Sequence, residues 1–447
     1  QMDNMFRGAS FNQDISSWDT SAVMSTGSMF YDNSFFTNGT ETDAYKKLGY
    51  YWDVSKTTSS LTSMFGGSSA SQNSPISALS TFPEWSGAIS TTGFTASPFR
   101  DRGTAVSWNT QVTSAPMMTT FGGSVVGNSG VPDDGVHTLN LTTNTWSTTG
   151  AAPAVTGPRH SHSAVAWSDP VSGSMMMTIF GGWDGSSYRN DVHTYNLFTG
   201  AWSGVVTTSG TVPSTRRGHS AVAWTDPASG DPMMTIFGGM NSADTYLNEV
   251  HTLNLVTNVW VAATGAPGVT GARYLHSAVV WREAATLGPM MTIFGGLTSS
   301  SGNTGVNDAY TYDLVTDSWS VVSYGTTPAP PSGRHWHSAV AWNNPEPMMT
   351  IFGGMESSGW RSHTHTLNLV TNVWSDWHDV LATPDPRRSH SAVAWNDPAS
   401  ADAPMMTIVG GWTGTGVLGV HALKLSPVIG VTPTADFFRH WSAAINR

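Results

Sequence analysis

The chain has 447 residues, of which 39% are hydrophobic and 11% are charged, so it is long enough for one large domain and a smaller one. Its formal charge is −11 without any run of basic residues, which argues against nucleic acid as a partner. No stretch approaches the roughly 18 apolar residues of a transmembrane helix. The absence of Cys excludes disulfides, thiolate metal sites and cysteine nucleophiles.

The first 75 residues carry two related segments. One reads MFRGASFNQDISSWDTSAVMSTGSMF from Met5, and the other reads YWDVSKTTSSLTSMFGGSS from Tyr51. The shared Trp-Asp-x-Ser followed by Met-Phe, with FNQDISSWD in the first copy, resembles the BspA-like leucine-rich surface-protein repeat, also called the mycoplasma lipoprotein repeat. Because such short repeats need about three copies to bury a core, we expect a longer array, with any targeting sequence, before Gln1. The resemblance implies a secreted or cell-surface protein.

A different motif, an apolar run closing on Gly-Gly, occurs six times from Met117 onward. The copies read MMTTFGG, MMMTIFGG, MMTIFGG three times and MMTIVGG, and their first glycines are 57 to 59 residues apart. A period near ~50 with Gly-Gly is typical of propeller blades. Each unit also has HSAVAW or a variant before the glycines and a segment like VHTLNL after them, so turn residues separate four short strands. The first glycines are Gly122, Gly181, Gly238, Gly295, Gly353 and Gly410.

The order of these features resembles the kelch repeat: an Arg, His-Ser, a strand, the Gly-Gly run, a VHTLNL strand and a Trp about twenty residues after the glycines. The match covers roughly residues 82–425. It implies an all-β, six-bladed kelch β-propeller, similar to the central domain of galactose oxidase, preceded by the small leucine-rich-like repeat segment. We assign residues 1–75 to that segment, 76–427 to the propeller and 428–447 to a C-terminal tail. Twelve of the twenty Trp residues are assigned to packing between blades.

The sixth unit lacks a fourth-strand Trp after HALKLSP at residues 421–427. The missing piece lies at the front of the propeller, because WSGAISTTGFTASPFRDRGTAVSW from Trp85 aligns with WSGVVTTSGTVPSTRRGHSAVAW from Trp202. We therefore predict that residues 82–90 form the outer strand of the sixth blade. This closes the ring and removes the exposed sheet edges that invite aggregation.

An Arg stands eight residues before the first-strand Trp of every unit, and five units have a His three residues after it. Since identical residues in every blade do the same structural job, we predict that this Arg ring bonds loop carbonyls or pairs with Asp191, Glu249 and Asp308. Binding of an anion is the alternative. The His residues, including a second series on the third strands, lie a blade apart, so we predict no metal site. The ring consists of Arg100, Arg159, Arg216, Arg273, Arg334 and Arg387.

Positions that differ between blades are better candidates for ligand binding, since symmetry does not explain them. They lie between the Arg and the His and in the loops after Gly-Gly, and both sets are predicted at one face of the disc. Aromatic rings beside Arg, His and Asp suit a carbohydrate, and packing onto adjacent loops is the alternative. The candidates are Arg102, His160, Arg217, Tyr274, His335, Trp336, Arg388, Trp183, Asp184, Tyr188, Trp360, Arg361 and Trp412.

No nucleophile elbow, phosphate loop or paired-carboxylate motif appears in the repeats, and without Cys the Tyr–Cys cofactor of galactose oxidase is excluded. We therefore expect no catalytic residues and no cofactor. The leading hypothesis is a non-enzymatic extracellular or cell-surface module that binds protein partners or self-assembles through its loops, as part of a coat, matrix or appendage. The alternatives are a carbohydrate-binding or carbohydrate-active protein of the lyase or epimerase type, and an intracellular kelch adaptor.

Two Asn-x-Thr sequons occur, at Asn38 and Asn140. The first lies between the two N-terminal repeats, and the second lies where the third strand of the first blade meets its hairpin. We predict sugar on at least one of them if the source is a eukaryote.

Overall fold

The computed structural model describes residues 85–93, 100–125, 130–151, 156–263, 270–283, 287–299, 304–325, 329–343, 345–377, 383–400, 403–414 and 419–425. All of them belong to one unit, Glu84–Leu425. The helical content within these ranges is a single 3₁₀ turn, Pro398–Ser400, and no helix there is long and apolar enough to cross a membrane. The predicted N-terminal repeat segment, the C-terminal tail, both predicted domain boundaries and Asn38 lie outside the described residues.

The first three blades contain seventeen strands, counted in chain order. Blade 1 comprises β1 (Arg100–Asp101), β2 (Thr104–Asn109), β3 (Pro116–Phe121), β4 (Ser124–Val125), β5 (Gly135–Asn140) and β6 (Thr145–Ala151). Blade 2 comprises β7 (Ser163–Ser168), β8 (Met175–Trp183), β9 (Tyr188–Asn196) and β10 (Ala201–Val205). Blade 3 comprises β11 (Ser209–Gly210), β12 (Arg216–Arg217), β13 (Ser220–Thr225), β14 (Pro232–Phe237), β15 (Met240–Asn241), β16 (Val250–Asn254) and β17 (Val259–Ala262).

The other three blades contain the remaining thirteen strands. Blade 4 comprises β18 (Ser277–Arg282), β19 (Pro289–Phe294), β20 (Ala309–Asp313) and β21 (Ser318–Val321). Blade 5 comprises β22 (Ser338–Asn343), β23 (Pro347–Phe352), β24 (Met355–Glu356), β25 (Gly359–Trp360), β26 (Thr364–Asn368) and β27 (Trp374–Trp377). Blade 6 comprises β28 (Ser391–Asp397), β29 (Ala403–Val409) and β30 (Val420–Lys424).

The main strands of each blade form an antiparallel sheet whose order follows the chain, as in β2-β3-β5-β6 of blade 1, and in blade 3 the short β11 adds a parallel pair to the outer strand β17. The first strands of successive blades contact one another in an unbroken circle that returns from β28 to β2. The Gly-Gly runs form the second strands, which are buried on both faces because a neighbouring blade packs on each side. The all-β, six-bladed propeller predicted from the sequence is confirmed.

Short polar turns separate the strands. Between the first and second strands of blade 3, the Asp226 carboxylate accepts the backbone N–H groups of Ala228 and Ser229. Between the third and fourth strands, Asn254 Oδ1 accepts two backbone N–H groups at 2.9 Å. Asn140 makes the same two bonds in blade 1, so this turn accounts structurally for an Asn that the sequence also marks as a sequon.

The ring closes as predicted, with the segment before blade 1 acting as the outer strand of blade 6. Trp85 is paired with Leu423, and Ile89 with Val420, in antiparallel bridges. The N–H of Ser86 donates to the carbonyl of Ala422 at 2.8 Å. Trp85 is 1% exposed, in keeping with its assignment to packing between blades.

Aromatic side chains fill the interfaces between blades. The second-strand Phe of each of the first five blades lies between a His and a fourth-strand Trp of the next blade. The ring centroids are 5.1–5.4 Å apart for the Phe–His pairs and 4.7–5.1 Å for the Phe–Trp pairs. These distances are those of favourable ring pairs. The five Phe residues are Phe121, Phe180, Phe237, Phe294 and Phe352.

Within each blade, the first-strand Trp has a polar partner. Trp167 Nε1 donates to Thr178 Oγ1 at 2.8 Å, and that hydroxyl also bonds Thr194 on the third strand at 2.9 Å. The Trp–Thr bond recurs at 2.8 Å in all six blades. In the first five blades the Thr of the MMT motif is therefore a buried bridge across three strands, which the sequence pattern alone does not reveal.

Candidate functional site

The loops that precede the first strands meet on the propeller axis, where six residues form a closed backbone ring. Each residue donates its N–H to the carbonyl of the equivalent residue in the preceding blade, at 2.8–3.1 Å. All six have positive φ, between 54° and 63°, which turns the chain sharply just before the strand. We call this set the axial ring, and it consists of Arg102, Ser161, Gly218, Leu275, Trp336 and Ser389.

Tyr274, from the loop that precedes the first strand of blade 4, packs against Gly218, the axial-ring residue of blade 3. A Cβ added to Gly218 would stand 2.1 Å from the Tyr274 ring and 3.0 Å from Leu275, so it is these neighbours that restrict the position to glycine, since the other axial-ring residues adopt a similar φ with side chains. A glycine in blade 3 thus makes room for an aromatic side chain of blade 4 on the axis.

A second circle of contacts lies one residue further along. In five blades a His Nε2 lies 2.7–2.8 Å from a Ser or Thr hydroxyl at the start of the preceding blade's first strand. Burial, reinforced by the adjacent Arg216 charge, lowers the pKa of His219 to about 3. These imidazoles are therefore neutral at physiological pH. They are His162, His219, His276, His337 and His390.

The axial ring and the His circle line a cavity of about 140 Å³ on the axis. Blade 1 contributes Arg102 and Gly103 to its wall, whereas the other blades each contribute a His. The Ser391 hydroxyl bonds the Gly103 carbonyl at 3.0 Å in place of an imidazole.

The six arginines of the predicted Arg ring, Arg100 and its equivalents in the other blades, lie beneath this surface. Five of them are at most 1% exposed, and each donates to the carbonyl of its own blade's first glycine at 3.0–3.2 Å. The three expected acidic partners are present: Arg159–Asp191 at 2.8 Å, Arg216–Glu249 at 2.6 Å and Arg273–Asp308 at 3.0 Å. Arg100 pairs with Asp133 and Arg334 with Glu356. These contacts use the guanidinium groups inside the fold, and burial lowers the pKa of Arg387 to about 10 against the opposing effect of the Asp385 charge.

The residue that follows each arginine of the Arg ring forms an antiparallel β-bridge with the loop after Gly-Gly. Both sets of variable candidates therefore lie at one face of the propeller. The bridges His160–Trp183, His335–Met355 and Arg388–Trp412 have this form, and so does the bridge between Tyr274 and Leu297. The structure therefore brings the two sets together around the axial ring.

One group of candidates surrounds Arg217. Its guanidinium carbon lies 5.1 Å from the Tyr188 ring centroid and 5.9 Å from that of Tyr274, distances suited to cation–π attraction. Tyr246 packs on Tyr274 with centroids 5.4 Å apart, and the Tyr188 hydroxyl donates to Asp244 at 3.3 Å. Arg217 Nε is buried without a hydrogen-bond partner in the described part of the chain.

A second group surrounds Arg388. Its guanidinium carbon lies 4.1 Å from the Trp336 ring centroid, and its pKa is lowered by burial. Trp336 also packs against His335, which is 0% exposed and has no described partner for either ring nitrogen. Burial and the Arg388 charge lower the pKa of His335 to about 4, so it is neutral.

The other candidates divide by their contacts. Arg102 Nε bonds Asp101 at 3.0 Å, and Arg361 Nε bonds Glu356 at 2.7 Å, so these two charges are compensated. Asp184 accepts the N–H groups of Ser186 and Ser187 and shapes its own turn. The remaining side chains are buried or half-buried: His160 beside Ser161, Trp183 against Tyr188, Trp360 beside Gly414, and Trp412 in its bridge.

Two residues of this surface, Asp244 and Tyr246, lie at positions that the sequence comparison did not single out. Asp101 lies beside Arg102, at a position that comparison of the six units does identify as variable. Tyr246 lies further after Gly-Gly than the other aromatic loop residues, and only the fold places it on Tyr274. No group of three His, Asp or Glu side chains in the described ranges could hold a metal ion. This face therefore combines aromatic rings with the guanidinium groups of Arg217 and Arg388, which stack on those rings.

Comparison with known proteins gives two matches to family models. The model described as Attractin/LZTR1 beta-propeller matches residues 118–418. The model described as Mycoplasma protein of unknown function, DUF285, matches residues 1–82, the part in which the mycoplasma-type repeat is expected. The more specific BspA-like assignment stays a prediction.

Several curated proteins are similar to the propeller. Kelch domain-containing protein 3 of Homo sapiens is 30% identical over 279 residues, which are 57% of this chain and 65% of that protein. Host cell factor 2 of Homo sapiens is 29% identical over 314 residues, 62% of this chain and 36% of that protein. The leucine-zipper-like transcriptional regulator 1 homolog of Drosophila melanogaster is 31% identical over 242 residues, 51% and 22% of the two chains. Each match spans less than two thirds of the relative, and together they confirm the predicted kelch-type propeller.

Proposed function

This chain belongs to the Attractin/LZTR1 β-propeller family, and we propose that it is a non-enzymatic binding module that holds an acidic segment of a protein partner against the axial mouth. By axial mouth we mean the axial ring together with Tyr188, Arg217, Tyr246, Tyr274 and Arg388. Because the backbone bonds of the ring join all six blades across the axis, a partner would lie over the mouth instead of threading the channel.

The observation that carries the proposal is the state of Arg217 and Arg388. Within the described residues, no carboxylate lies within 4.0 Å of either guanidinium, whereas Arg102, Arg189 and Arg361 on the same face all have acidic partners. Both groups instead stack on aromatic rings, which fixes the orientation of their planes.

An acidic protein segment fits this arrangement in two ways. Although the chain as a whole carries −11, the two guanidinium groups, which have no ion pair within the described residues, attract negative groups at short range. The buried Tyr274 and Leu275 and the half-buried Trp336 provide apolar area between the cations. Partners of this kind are held by central aromatic and Arg contacts.

The proposal is tested with a library of fluorescein-labelled 12-residue peptides that each contain two acidic residues and one aromatic residue, measured by fluorescence polarisation against the full chain. We expect micromolar binders whose affinity falls as ionic strength rises. Arg217→Ala and Arg388→Ala should each weaken the best peptide about tenfold, the loss of one charge-assisted contact worth about 1.4 kcal/mol.

The matched control is Arg282→Ala. Arg282 is exposed at the far end of β18, paired in register with Pro289, and so lies at the other face. It should bind as the parent does. Equal losses of affinity in all three variants would show that only the net charge of the protein matters and would contradict a site at the axial mouth. An absence of any binding peptide would overturn the proposal.

A glycan ligand is the second candidate, favoured by the half-buried rings of Trp183, Tyr188, Trp360 and Trp412 at the same face. A neutral sugar would stack on such rings and bind almost independently of salt. A glycan array followed by incubation of any hit separates the possibilities: binding without conversion supports a lectin-like role, and product formation supports the carbohydrate-active alternative.

For the location we propose the cell surface or its exterior, on the strength of the N-terminal resemblance to surface-protein repeats. The intracellular adaptor is the competing proposal, and the names of two relatives, a transcriptional regulator homolog and a host cell factor, favour it. Antibody labelling of intact against permeabilised cells of the source organism decides between them. Signal only after permeabilisation would refute the surface location.

A further inference from the structure

The interface between blade 6 and blade 1 lacks the aromatic contacts that the other five share. Val409 stands where the other second strands have Phe, and Gly103 stands where the other loops have His. Neither of the two ring pairs found elsewhere can form there. Val409 packs in a cluster with Val393 and Trp146, and Trp395 packs against the same cluster, so the interface is closed but lacks the second-strand Phe and the loop His.

The polar links at this interface, which we call the seam, are also reduced. Ser391 reaches the Gly103 carbonyl at 3.0 Å, where the other blades have a hydroxyl–imidazole bond of 2.7–2.8 Å. The third strand of blade 6 has Ala422 in place of the bridging Thr, so the Trp395–Thr407 bond is not continued to the next strand.

In its described part, the outer strand of blade 6 is held to β30 by antiparallel bridges at Trp85 and Ile89. It is also the only outer strand that does not follow its own third strand in the chain. No hairpin turn therefore keeps it in place when its bonds break.

We infer that the seam is the opening point of the ring: the strand around Trp85–Ile89 detaches from β30 and blades 6 and 1 part while the other five interfaces stay closed. Three features coincide there: the missing ring pairs, the reduced polar links and an outer strand that no hairpin joins to its blade. Local opening follows the regions with the fewest buried contacts.

Opening at the seam dismantles the axial mouth. Arg388 belongs to blade 6, and the Asp101–Arg102 pair belongs to blade 1, so the parting of these blades breaks the axial-ring bond from Arg102 to Ser389. The seam is thus a conformational device beneath the proposed binding surface. This inference rests on contacts of the fold and holds whether or not the mouth binds an acidic partner.

Native-state hydrogen exchange of the full chain tests the inference on a matched pair of amides. The Ile89 N–H donates to Val420 and the Val206 N–H donates to Val192, both at 2.8 Å, in the equivalent sequences WSGAI and WSGVV. We expect the Ile89 amide to exchange at least tenfold faster than the Val206 amide. Equal exchange would overturn the inference.

Two substitutions test whether the missing aromatic packing causes the seam to open. Val409→Phe places a ring against Trp146, as Phe180 is placed against Trp260, and it should slow exchange at Ile89 by at least threefold without changing Val206. Phe180→Val creates a similar interface between blades 2 and 3, where Phe180 packs on Trp260 and His219. It should speed exchange in β17, at the Val261 amide, by at least threefold. If Phe180→Val has this effect but Val409→Phe has none, aromatic packing does not set the opening of the seam and the inference fails.

Discussion

At the scale of single residues, the propeller buries charged Arg side chains, and the acidic partner that balances each charge is buried to a different degree. Arg159 is 1% exposed and is bonded to both oxygens of Asp191, which is itself 13% exposed at its side chain. Hydrogen bonds from His193 and Arg159 hold the pKa of Asp191 well below its usual range, against the opposing effect of burial. Arg216 is equally buried, but its partner Glu249 is 49% exposed.

This difference predicts unequal costs for removing the two acids. Asp191→Asn should destabilise the fold by about 3 kcal/mol, because a buried guanidinium then lacks its counter-charge. Glu249→Gln should cost about 1 kcal/mol or less, since water already screens that carboxylate. Urea unfolding of the two variants measures both values. Similar losses would show that the exposure of the acid does not control the strength of the pair.

At the scale of strands and turns, the Gly-Gly sequence is explained by the neighbouring blade. Gly181 has a φ of 66°, and a Cβ there would lie 2.9 Å from the Arg216 carbonyl of blade 3. Gly182 has a φ of 96°, and its Cβ would lie 2.8 Å from His162 Cβ of its own blade. The two glycines thus let the end of the second strand touch two loops at once.

The turn glycine Gly173 allows backbone strain to be separated from crowding. Its φ is 68°, and nothing lies within 4 Å of the position of its Cβ. Gly173→Ala should therefore cost about 1–2 kcal/mol, the price of a left-handed Ala. Gly181→Ala should cost roughly 1–3 kcal/mol more, because the neighbouring carbonyl must move. Thermal unfolding compares the two, and equal shifts would mean that contact with blade 3 is unimportant.

At the scale of the whole molecule, the six blades are joined on the axis by circles of contacts that no single blade contains. Of these circles, the one formed by the buried His side chains contains groups that can take up protons. Burial first, and the Arg387 charge second, lower the pKa of His390 to about 3, and His162, His276 and His337 have pKa values lowered well below 6.5 by burial and nearby charges.

Stability should therefore depend on pH in a defined direction. Because the folded pKa lies below the unfolded value of 6.5, the unfolded chain binds more protons in the interval between them. The contribution of each His is complete above about pH 6.5 and is lost as pH falls toward the folded value, by up to about 1.4 kcal/mol per pH unit. Urea unfolding between pH 7 and pH 5 measures this slope.

His219→Gln serves as the control for that slope. The amide can still bond Ser163 but cannot titrate, so the variant should lose stability less steeply with falling pH than the parent. A parent whose stability is flat between pH 7 and pH 5 would contradict the expectation.

Much of the architecture was readable from the sequence. The spacing of the Gly-Gly motifs predicts the number of blades, and the alignment of the Trp85 segment with the Trp202 segment predicts the closing strand. Both succeed because each repeat contacts mainly its neighbours, so a local pattern contains most of the relevant interactions. The Arg–acid pairs were also anticipated, since partners within one blade recur at a near-constant separation.

The candidate site was less predictable, and the reason is physical. The sequence indicates which positions vary between blades, but Arg217 and Arg388 look no different from Arg102 until neighbouring blades are packed around them. Only the tertiary structure places Tyr188 and Tyr274, from two other blades, on either side of Arg217. The same holds for the axial ring, whose six hydrogen bonds join residues a whole blade apart. Composition and repeat period determined the propeller, whereas contacts that exist only once the ring has closed decided which arginines of its axial face lack an ion pair within the described residues.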